Sequence, residues 1–522
     1  MMRHTVRVLA LLCLLAGPAG ISRAENVPAN PRFAEVAQKL DAGGETYVYM
    51  NAKDGMRNIV RTLRTSLAPE GADPSVIRGF DLADKMLESL GLYSIEDVGA
   101  SAVRQPNGLY HCKSYVRIPE GRKGVLKCLG GAPHACEALK YAPEDTVLFW
   151  SEDVDLATLL EAVQTGLQES QFQEAQGMLL MGLGQVDTAL TGIAGKSLTL
   201  KGALDSLGGE ITFIAGLDPL KRVQVPASPA GPLSFAYPKA VLMVRTKDAT
   251  LYELAVKTLS MHDPSTTETV EGGVRKFSIP VPIPPDFPYE LKPVIAQNGQ
   301  YFFLATQPEY LNQILETSRG GKNLAGAAEY KELTANLPQQ GNSFSFASKR
   351  FAQEVVSAVE TFMKALSEIQ PHQRWSAMQV SILRNLQKVP VLGSASVRVN
   401  EAGGLLVLKN SPGNDAMAAP LAGVAVAGIG AAVAVPGFIK ARTTAQRNTC
   451  RENLAKMDGA KEQLALEKNL KEGAEVKWED LIAAPDGSGG YLRKTPVCPK
   501  GGTYTIGKIG EVPTCTCGAR LP

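Results

Sequence analysis

The segment AGVAVAGIGAAVAVPGFIKARTTAQRNTCRENLAKMDGAKEQLALE, residues 422–467, decides the architecture of the C-terminal end of the chain. It belongs to an uncharged stretch, 416–439, that is long enough to cross a bilayer as a helix. Within that stretch Gly423, Ala427 and Ala431 recur at four-residue spacing, which favours close helix packing. The sequence therefore predicts an apolar helix at 416–439 that continues as a long polar helix.

The motif that joins the two helical parts resembles the stem of type IV pilins and of the pseudopilins of type II secretion. Pro436 and residues 438–442 keep the family's Pro-x-Phe-Ile-Lys-Ala-Arg pattern. Cys498 and the run 501–504 resemble the cysteine-bearing end of the same proteins. The resemblance implies a pilin-like module at 411–522, with a long helix and a small β head.

Two positions depart from the pilin pattern. Asp415 follows the point where a prepilin leader would be cut, and Ala419 occupies the fifth position, where pilins have glutamate. Both departures argue against polymerisation into a pilus. Lys440 and Arg442 favour a cytoplasmic tail by the positive-inside rule, whereas four tail cysteines favour an oxidising compartment. We expect an exported tail whose apolar helix packs on protein.

The start of the chain has the parts of a secretory signal peptide. Basic residues such as Arg3 precede an apolar core at 8–19, and small residues end at Ala24. We expect 1–24 to be a signal peptide that is cleaved before Glu25. The mature protein is then expected in the periplasm or cell envelope, with membrane association through the apolar helix.

Composition narrows the classes of function. The 522 residues include 54 Lys+Arg and 52 Asp+Glu, and the resulting charge of +2 provides no bulk field to attract nucleic acid. The length predicts several domains. Histidines number only five, which leaves few candidate general bases, and no catalytic motif includes one. We therefore predict no enzymatic activity, no catalytic residues, no cofactor and no metal.

A short strand, a polar capping residue and an amphipathic helix recur four times, at intervals of roughly one hundred residues. The strands are 47–50, 147–150, 241–244 and 343–346, and the capping residues are Asp54, Asp153, Asp248 and Ser348. Asp and Ser accept hydrogen bonds from the first N–H groups of a helix, so capping explains them without catalysis. The pattern predicts an α+β domain with antiparallel sheets over 25–410, in one body or in halves 25–230 and 231–410.

Short motifs in this region resemble an exported bacterial family that is a domain of unknown function. They are the runs 142–146 (APEDT), 208–210 (GGE) and 329–333 (EYKEL). The resemblance implies a fold and an exported location, and it implies no activity.

Cysteines of the repeat region suggest a disulfide. Residues 110–118 and 124–128 are predicted to be strands of a hairpin that sets Cys112 opposite Cys128, leaving Cys136 unpaired. An alternative is a zinc site, without the usual paired spacing, made by His111, Cys112, Cys128, His134 and Cys136.

Cysteines of the tail predict two further disulfides. Two neighbouring extended runs, the second ending at Cys515, are expected to return toward Cys498. One of Cys515 and Cys517 is then expected to bond Cys498, and the other to bond Cys450 on the long helix.

The sequence favours a non-catalytic envelope protein with a structural or interaction role linked to secretion or pilus-type machinery. Its expected partners are envelope proteins, through helix–helix contacts of 416–439, and the membrane, but not nucleic acid. The alternative is a periplasmic binding protein that holds a lipid or another apolar ligand inside the repeat domain. A large apolar cavity would favour the alternative, and a solid core would favour the first hypothesis.

Overall fold

The computed structural model describes residues 31–53, 55–67, 74–169, 173–226, 232–263, 268–279, 291–358, 391–416, 447–482, 490–492, 494–498 and 501–521. Some predicted features lie outside these residues. They are the signal peptide with its cleavage between Ala24 and Glu25, the capping residue Asp54, the apolar helix beyond Ala416, and its packing face Gly423, Ala427 and Ala431.

The chain divides into two compact units. The first, called here the sheet unit, comprises residues 1–57 and 88–422, and the second, the tail unit, comprises 58–87 and 423–522. The predicted boundary at 410 lies near the second of these divisions. The assignment of 58–87 to the tail unit was not predicted from the sequence.

The described part of the sheet unit contains fifteen strands. They are β1 (Thr46–Asn51), β2 (Asp97–Arg104), β3 (Tyr110–Arg117), β4 (His134–Ala135), β5 (Leu148–Asp153), β6 (Leu207–Pro226), β7 (Pro232–Thr246), β8 (Glu268–Glu271), β9 (Val274–Ser278), β10 (Val294–Asn298), β11 (Tyr301–Ala305), β12 (Gln340–Gly341), β13 (Ser343–Ala347), β14 (Ser394–Glu401) and β15 (Gly404–Ser411).

Thirteen of these described strands form one sheet in the order β1-β2-β3-β15-β14-β13-β5-β6-β7-β11-β10-β9-β8, while β4 pairs with β12. Every neighbouring pair in the large sheet is antiparallel. The predicted α+β class with an antiparallel sheet is therefore confirmed. Because β6 and β7 pair across the predicted boundary at 230, both predicted halves belong to the same sheet.

Helices occur in both units. They are α1 (Pro31–Ala37), α2 (Gly55–Leu67), α3 (Pro74–Ser89), α4 (Leu156–Glu169), α5 (Gln173–Ala194), α6 (Leu200–Asp205), α7 (Thr250–His262), α8 (Pro308–Ser318), α9 (Ala328–Thr334), α10 (349–358), α11 (447–468) and α12 (Trp478–Leu481). Within the described ranges, no helix is both long enough and apolar enough to cross a bilayer.

The predicted repeat of strand and helix is present at all four places. β1 is followed by α2, β5 by α4, β7 by α7 and β13 by α10. In three of the repeats the chain returns from its helices to a strand that pairs with the first strand, giving the pairs β1–β2, β5–β6 and β13–β14. β7 instead pairs with β11 after three intervening strands.

Of the predicted helix caps, Ser348 is confirmed, whereas Asp248 lies one residue before the N-cap of α7, which is Ala249. The carboxylate of Asp248 accepts a hydrogen bond from the N–H of Thr250, the first residue of α7, at 2.8 Å. The hydroxyl of Ser348 accepts one from the N–H of Phe351 at 3.1 Å, at the start of α10. Both side chains satisfy donors that have no partner inside the helix.

The predicted cap at Asp153 is wrong. Asp153 is the last residue of β5, and its carboxylate accepts hydrogen bonds from His134 and from the amide of Asn342. α4 is capped two residues later by Asp155, whose carboxylate accepts the N–H of Thr158 at 3.0 Å. The strand runs further than its apolar residues indicate.

The core of the sheet unit lies on both faces of its sheet. Side chains alternate along β11, so Phe303 packs in the cluster that includes Tyr310 of α8, while Phe302 packs in the cluster that includes Tyr252 of α7. Phe303 and Tyr252 are completely buried, and Tyr310 nearly so. Helices therefore cover this end of the sheet on both sides.

The predicted hairpin that would place Cys112 opposite Cys128 is wrong. β3 pairs with β2 and β15, which sets Cys112 opposite Ala102 and Lys409. Residues Gly124–Leu129, which contain Cys128, form a 3-10 helix instead of a strand. The register on which this disulfide depended is absent, and neither thiol is bonded in the structure.

The described C-terminal part of the tail unit is built on α11. Cys450, Leu454, Met457 and Leu464 recur at helical spacing and are buried on one face. The helix ends where Asn469 adopts a left-handed conformation, with φ of 52°. β16 (Tyr504–Thr505) and β17 (Thr514–Cys515) form an antiparallel pair that packs in the same cluster.

Candidate metal centre

Four cysteines meet in the core of the tail unit. Cys450 lies in α11, Cys498 lies in the loop before β16, Cys515 is in β17, and Cys517 follows two residues later. Their Sγ atoms all lie within 4.8 Å of one another. Three separate parts of the chain therefore supply thiols to one point.

Local geometry explains why the strand pair brings its cysteines to the helix. In the β16–β17 register Tyr504 lies opposite Cys515, so the second strand returns toward Cys498 as the sequence predicted. Gly502 lets the backbone pass close to the thiols. A Cβ at Gly502 would lie 3.0 Å from Cys515 Sγ and 2.9 Å from the amide nitrogen of Cys517.

The four thiols are largely removed from water. Cys450, Cys498 and Cys515 are buried, and Cys517 is half-buried. The sulfur of Cys450 lies 3.4 Å from that of Cys517 and 3.9 Å from that of Cys498. No disulfide joins the described cysteines, so the predicted pairing of Cys498 with Cys515 or Cys517 stays a prediction.

Polar groups around the cysteines fix the position of Cys450. The hydroxyl of Tyr504 donates a hydrogen bond to Cys450 Sγ at 3.4 Å and accepts one from the amide of Asn453 at 3.1 Å. Burial raises the pKa of the Cys450 thiol, and it raises the pKa of Cys515 to about 12. Without a metal these two residues are therefore protonated at neutral pH, and a bound cation would displace the protons.

A buried lysine links α11 to the segment that carries β16 and β17, called here the head of the tail unit. The ammonium group of Lys461 donates hydrogen bonds to the carbonyl oxygens of Ile506, at 3.0 Å, and of Glu511. Its side chain is buried, and desolvation lowers its pKa. Lys461 therefore links α11 to the segment between β16 and β17.

The cysteine cluster is suited to two kinds of chemistry. Four thiolates at this spacing can hold one tetrahedral metal ion. The same thiols can be oxidised to two disulfides in an oxidising compartment. The sequence analysis predicted disulfides here from an oxidising compartment and from extended runs that return toward Cys498, and it predicted no metal.

The residues of the alternative zinc site in the sheet unit do not come together in the structure. His111 Nδ1 lies 2.7 Å from the side-chain oxygen of Asn410, and His134 Nε2 lies 3.0 Å from Asp153. Cys112 Sγ instead contacts the carboxylate of Asp415 at 3.6 Å. Among the described residues, the tail cysteines are the group whose ligand atoms converge.

A buried carboxylate in the sheet unit was missed by sequence reasoning. Glu210 lies in β6 and is 4% exposed. Its carboxylate accepts a hydrogen bond from Ser151 at 3.0 Å and lies 3.9 Å from the guanidinium of Arg245. Burial raises the pKa of Glu210. A strand position next to two glycines gave no sign of this burial.

Comparison of the chain with protein-family models, with curated proteins and with solved structures found no match. What the protein does therefore has to be inferred from its own residues and their geometry.

Proposed function

We propose that the protein is a non-catalytic, exported component of the cell envelope. Its C-terminal module, similar to that of pseudopilins, has a structural or interaction role linked to secretion or pilus-type machinery. One observation carries the proposal. α11 presents a buried face to a small two-stranded head that bears the cysteines, which is the arrangement expected from the resemblance to pilin stems.

Packing in the sheet unit supports a structural role over the carriage of an apolar ligand. A carrier needs an interior cavity lined by apolar side chains. The described interior holds large side chains such as Phe149, Phe303 and Tyr310, which are almost completely buried among neighbouring side chains. A solid core of this kind suits a body that presents surfaces to partners.

The proposed partners are envelope proteins and the membrane. Close helix packing through Gly423, Ala427 and Ala431 would supply a contact with a neighbouring helix. The sheet unit would then form the larger exported body.

A topology map tests the location. Compartment reporters are fused after residues 410 and 460, and a matched pair of fusions lacks residues 1–24. We expect both fusions that keep residues 1–24 to report export. We expect both fusions that lack residues 1–24 to report the cytoplasm. Export at 410 with a cytoplasmic signal at 460 would overturn the exported tail, and cytoplasmic signals at both would overturn the proposal.

N-terminal sequencing tests the signal peptide separately. Protein recovered from the envelope is expected to begin Glu-Asn-Val-Pro, starting at Glu25. An intact Met1 on the envelope-associated protein would contradict cleavage.

A further inference from the structure

We propose that Cys450, Cys498, Cys515 and Cys517 bind one structural zinc ion that ties the head of the tail unit to α11. The ligands come from a helix, a loop and a strand end, so one ion would join all three parts. The inference goes beyond the proposed function and requires that the four thiols stay reduced.

Distances between the sulfurs favour a shared ion over two disulfides. Four sulfurs bound at about 2.3 Å to a tetrahedral zinc ion lie about 3.8 Å apart. The observed distances from Cys450 Sγ are 3.4 Å to Cys517 and 3.9 Å to Cys498, and every pair of the four lies within 4.8 Å. Cys450 thus has two sulfur neighbours at similar distances, so the geometry singles out no disulfide pair.

The ligand set is one that selects zinc. Thiolates are soft ligands, and a closed tetrahedral set of four is typical of structural zinc sites. Metal ligands are usually held by further hydrogen bonds, and the Tyr504 hydroxyl provides one to Cys450 Sγ. Three of the four ligands are buried, which protects such a site from competing water.

Zinc binding requires no redox partner. Each of the four thiols loses one proton, four zinc–sulfur bonds form, and the centre carries a net charge of two minus with four protons released to solvent. Formation of two disulfides from the same thiols would instead require an oxidant that accepts four electrons. The two outcomes therefore differ in metal content and in thiol state.

The apolar core of the tail unit is small, so a bound ion would add stability that the core alone does not provide. The buried cluster around α11 is small, and the described head contributes two short strands to it. Domains with so little apolar surface are usually stabilised by metals or disulfides. A zinc ion at the cysteines would fix the head against α11.

Metal and thiol analysis of the full-length protein tests the site. Protein is purified from cells grown with added zinc and without chelators, its metals are measured by inductively coupled plasma mass spectrometry, and its thiols are mapped by alkylation. We expect about one zinc ion per chain and four tail cysteines that become alkylated only after the metal is removed. Two disulfides without metal would overturn the proposal, as would iron at the same stoichiometry.

Matched variants locate the ion. Cys517→Ser is expected to weaken zinc binding about tenfold or more, whereas Cys517→His is expected to retain zinc, because imidazole is also a zinc ligand and position 517 is half-buried. Cys128→Ser, a buried cysteine of the sheet unit, should leave zinc content unchanged. An unchanged zinc affinity of Cys517→Ser, measured by competition with a chelator, would place the ion elsewhere.

A variant that keeps all four cysteines separates a loss of zinc binding from misfolding. Tyr504→Phe removes the hydrogen bond to Cys450 and retains the aromatic ring. We expect zinc affinity, measured by competition with a chelator, to fall about 10- to 100-fold. Unchanged affinity in a folded Tyr504→Phe protein would contradict a site centred on Cys450.

Discussion

The sheet unit and the tail unit are stabilised in different ways. In the sheet unit thirteen described strands form one sheet, and large side chains such as Phe303 and Tyr310 are buried between it and its helices. In the described part of the tail, a helix and two short strands share a small core around four cysteines. We expect apolar packing to suffice for the large unit, and we expect the small unit to depend on its sulfur ligands as well.

The largest expected effect is on the packing of the sheet unit. Phe303→Ala should lower the free energy of unfolding by about 3–5 kcal/mol, because it leaves a cavity in a completely buried site. Denaturant titration measures the loss. Leu304→Ala, next in the strand and 37% exposed, is the matched control and should cost much less. Equal losses would show that burial does not govern stability here.

The next largest effect is expected for the hydrogen bonds of Lys461, which link α11 to the head of the tail unit. Lys461→Met keeps the length of the side chain but leaves the carbonyls of Ile506 and Glu511 without their donor. We expect a loss of about 1–3 kcal/mol, measured by hydrogen exchange in the tail. Lys468→Met, on the exposed side of α11, serves as control. A tail unchanged in Lys461→Met would contradict a role for these bonds.

A smaller effect is expected at the cap of α4. Asp155→Ala should cost about 1 kcal/mol, because the N–H of Thr158 loses its acceptor. Asp155→Asn should restore most of the stability, since asparagine caps as well as aspartate. Thermal melts of the two variants decide between capping and a general effect of charge at this position.

The smallest effect is a pH dependence at Glu210. Burial raises the pKa of Glu210 in the folded protein, with opposing contributions from Ser151 and Arg245. The protonated form therefore favours folding, and its contribution is lost as pH rises from about 4.5 through the folded pKa.

The variant Glu210→Gln imitates the protonated side chain. It is expected to be slightly more stable than the wild type at pH 7, with the difference shrinking toward pH 4. Melting temperatures across this range measure the effect. A variant that is less stable at pH 7 would show that the charge is stabilised by its partners.

Local patterns predicted the elements but not their long-range pairing. The four strands of the repeat and the helices after them follow from apolar periodicity and capping residues. The predicted hairpin at Cys112 is wrong because β3 pairs with β15, which follows it by nearly three hundred residues. No local turn signal indicates that pairing. The predicted cap at Asp153 is wrong because β5 continues through that residue.

The tail shows the same division between what is local and what is not. The extended run ending at Cys515 and its return toward Cys498 were predicted from the sequence. The meeting of all four sulfurs at one point was not, because it depends on how α11 packs against the head.

Metal content would also bear on the compartment of the tail. A zinc site with four thiolates needs reduced cysteines, which is the state that the cytoplasm maintains. Zinc in the tail would therefore weaken the cysteine argument for export and leave the basic residues Lys440 and Arg442 as the topology signal. Metal analysis and the topology map give independent answers.

Peptide-resolved hydrogen exchange of the full-length protein, before and after treatment with a strong chelator and a reductant, tests the contrast between the two units most directly. We predict that amides of 447–468 and 501–517 lose protection, while those of β5 and β11 keep theirs. Unchanged protection in the tail after removal of metal and disulfides would contradict the account, because the tail would then be stabilised by packing alone.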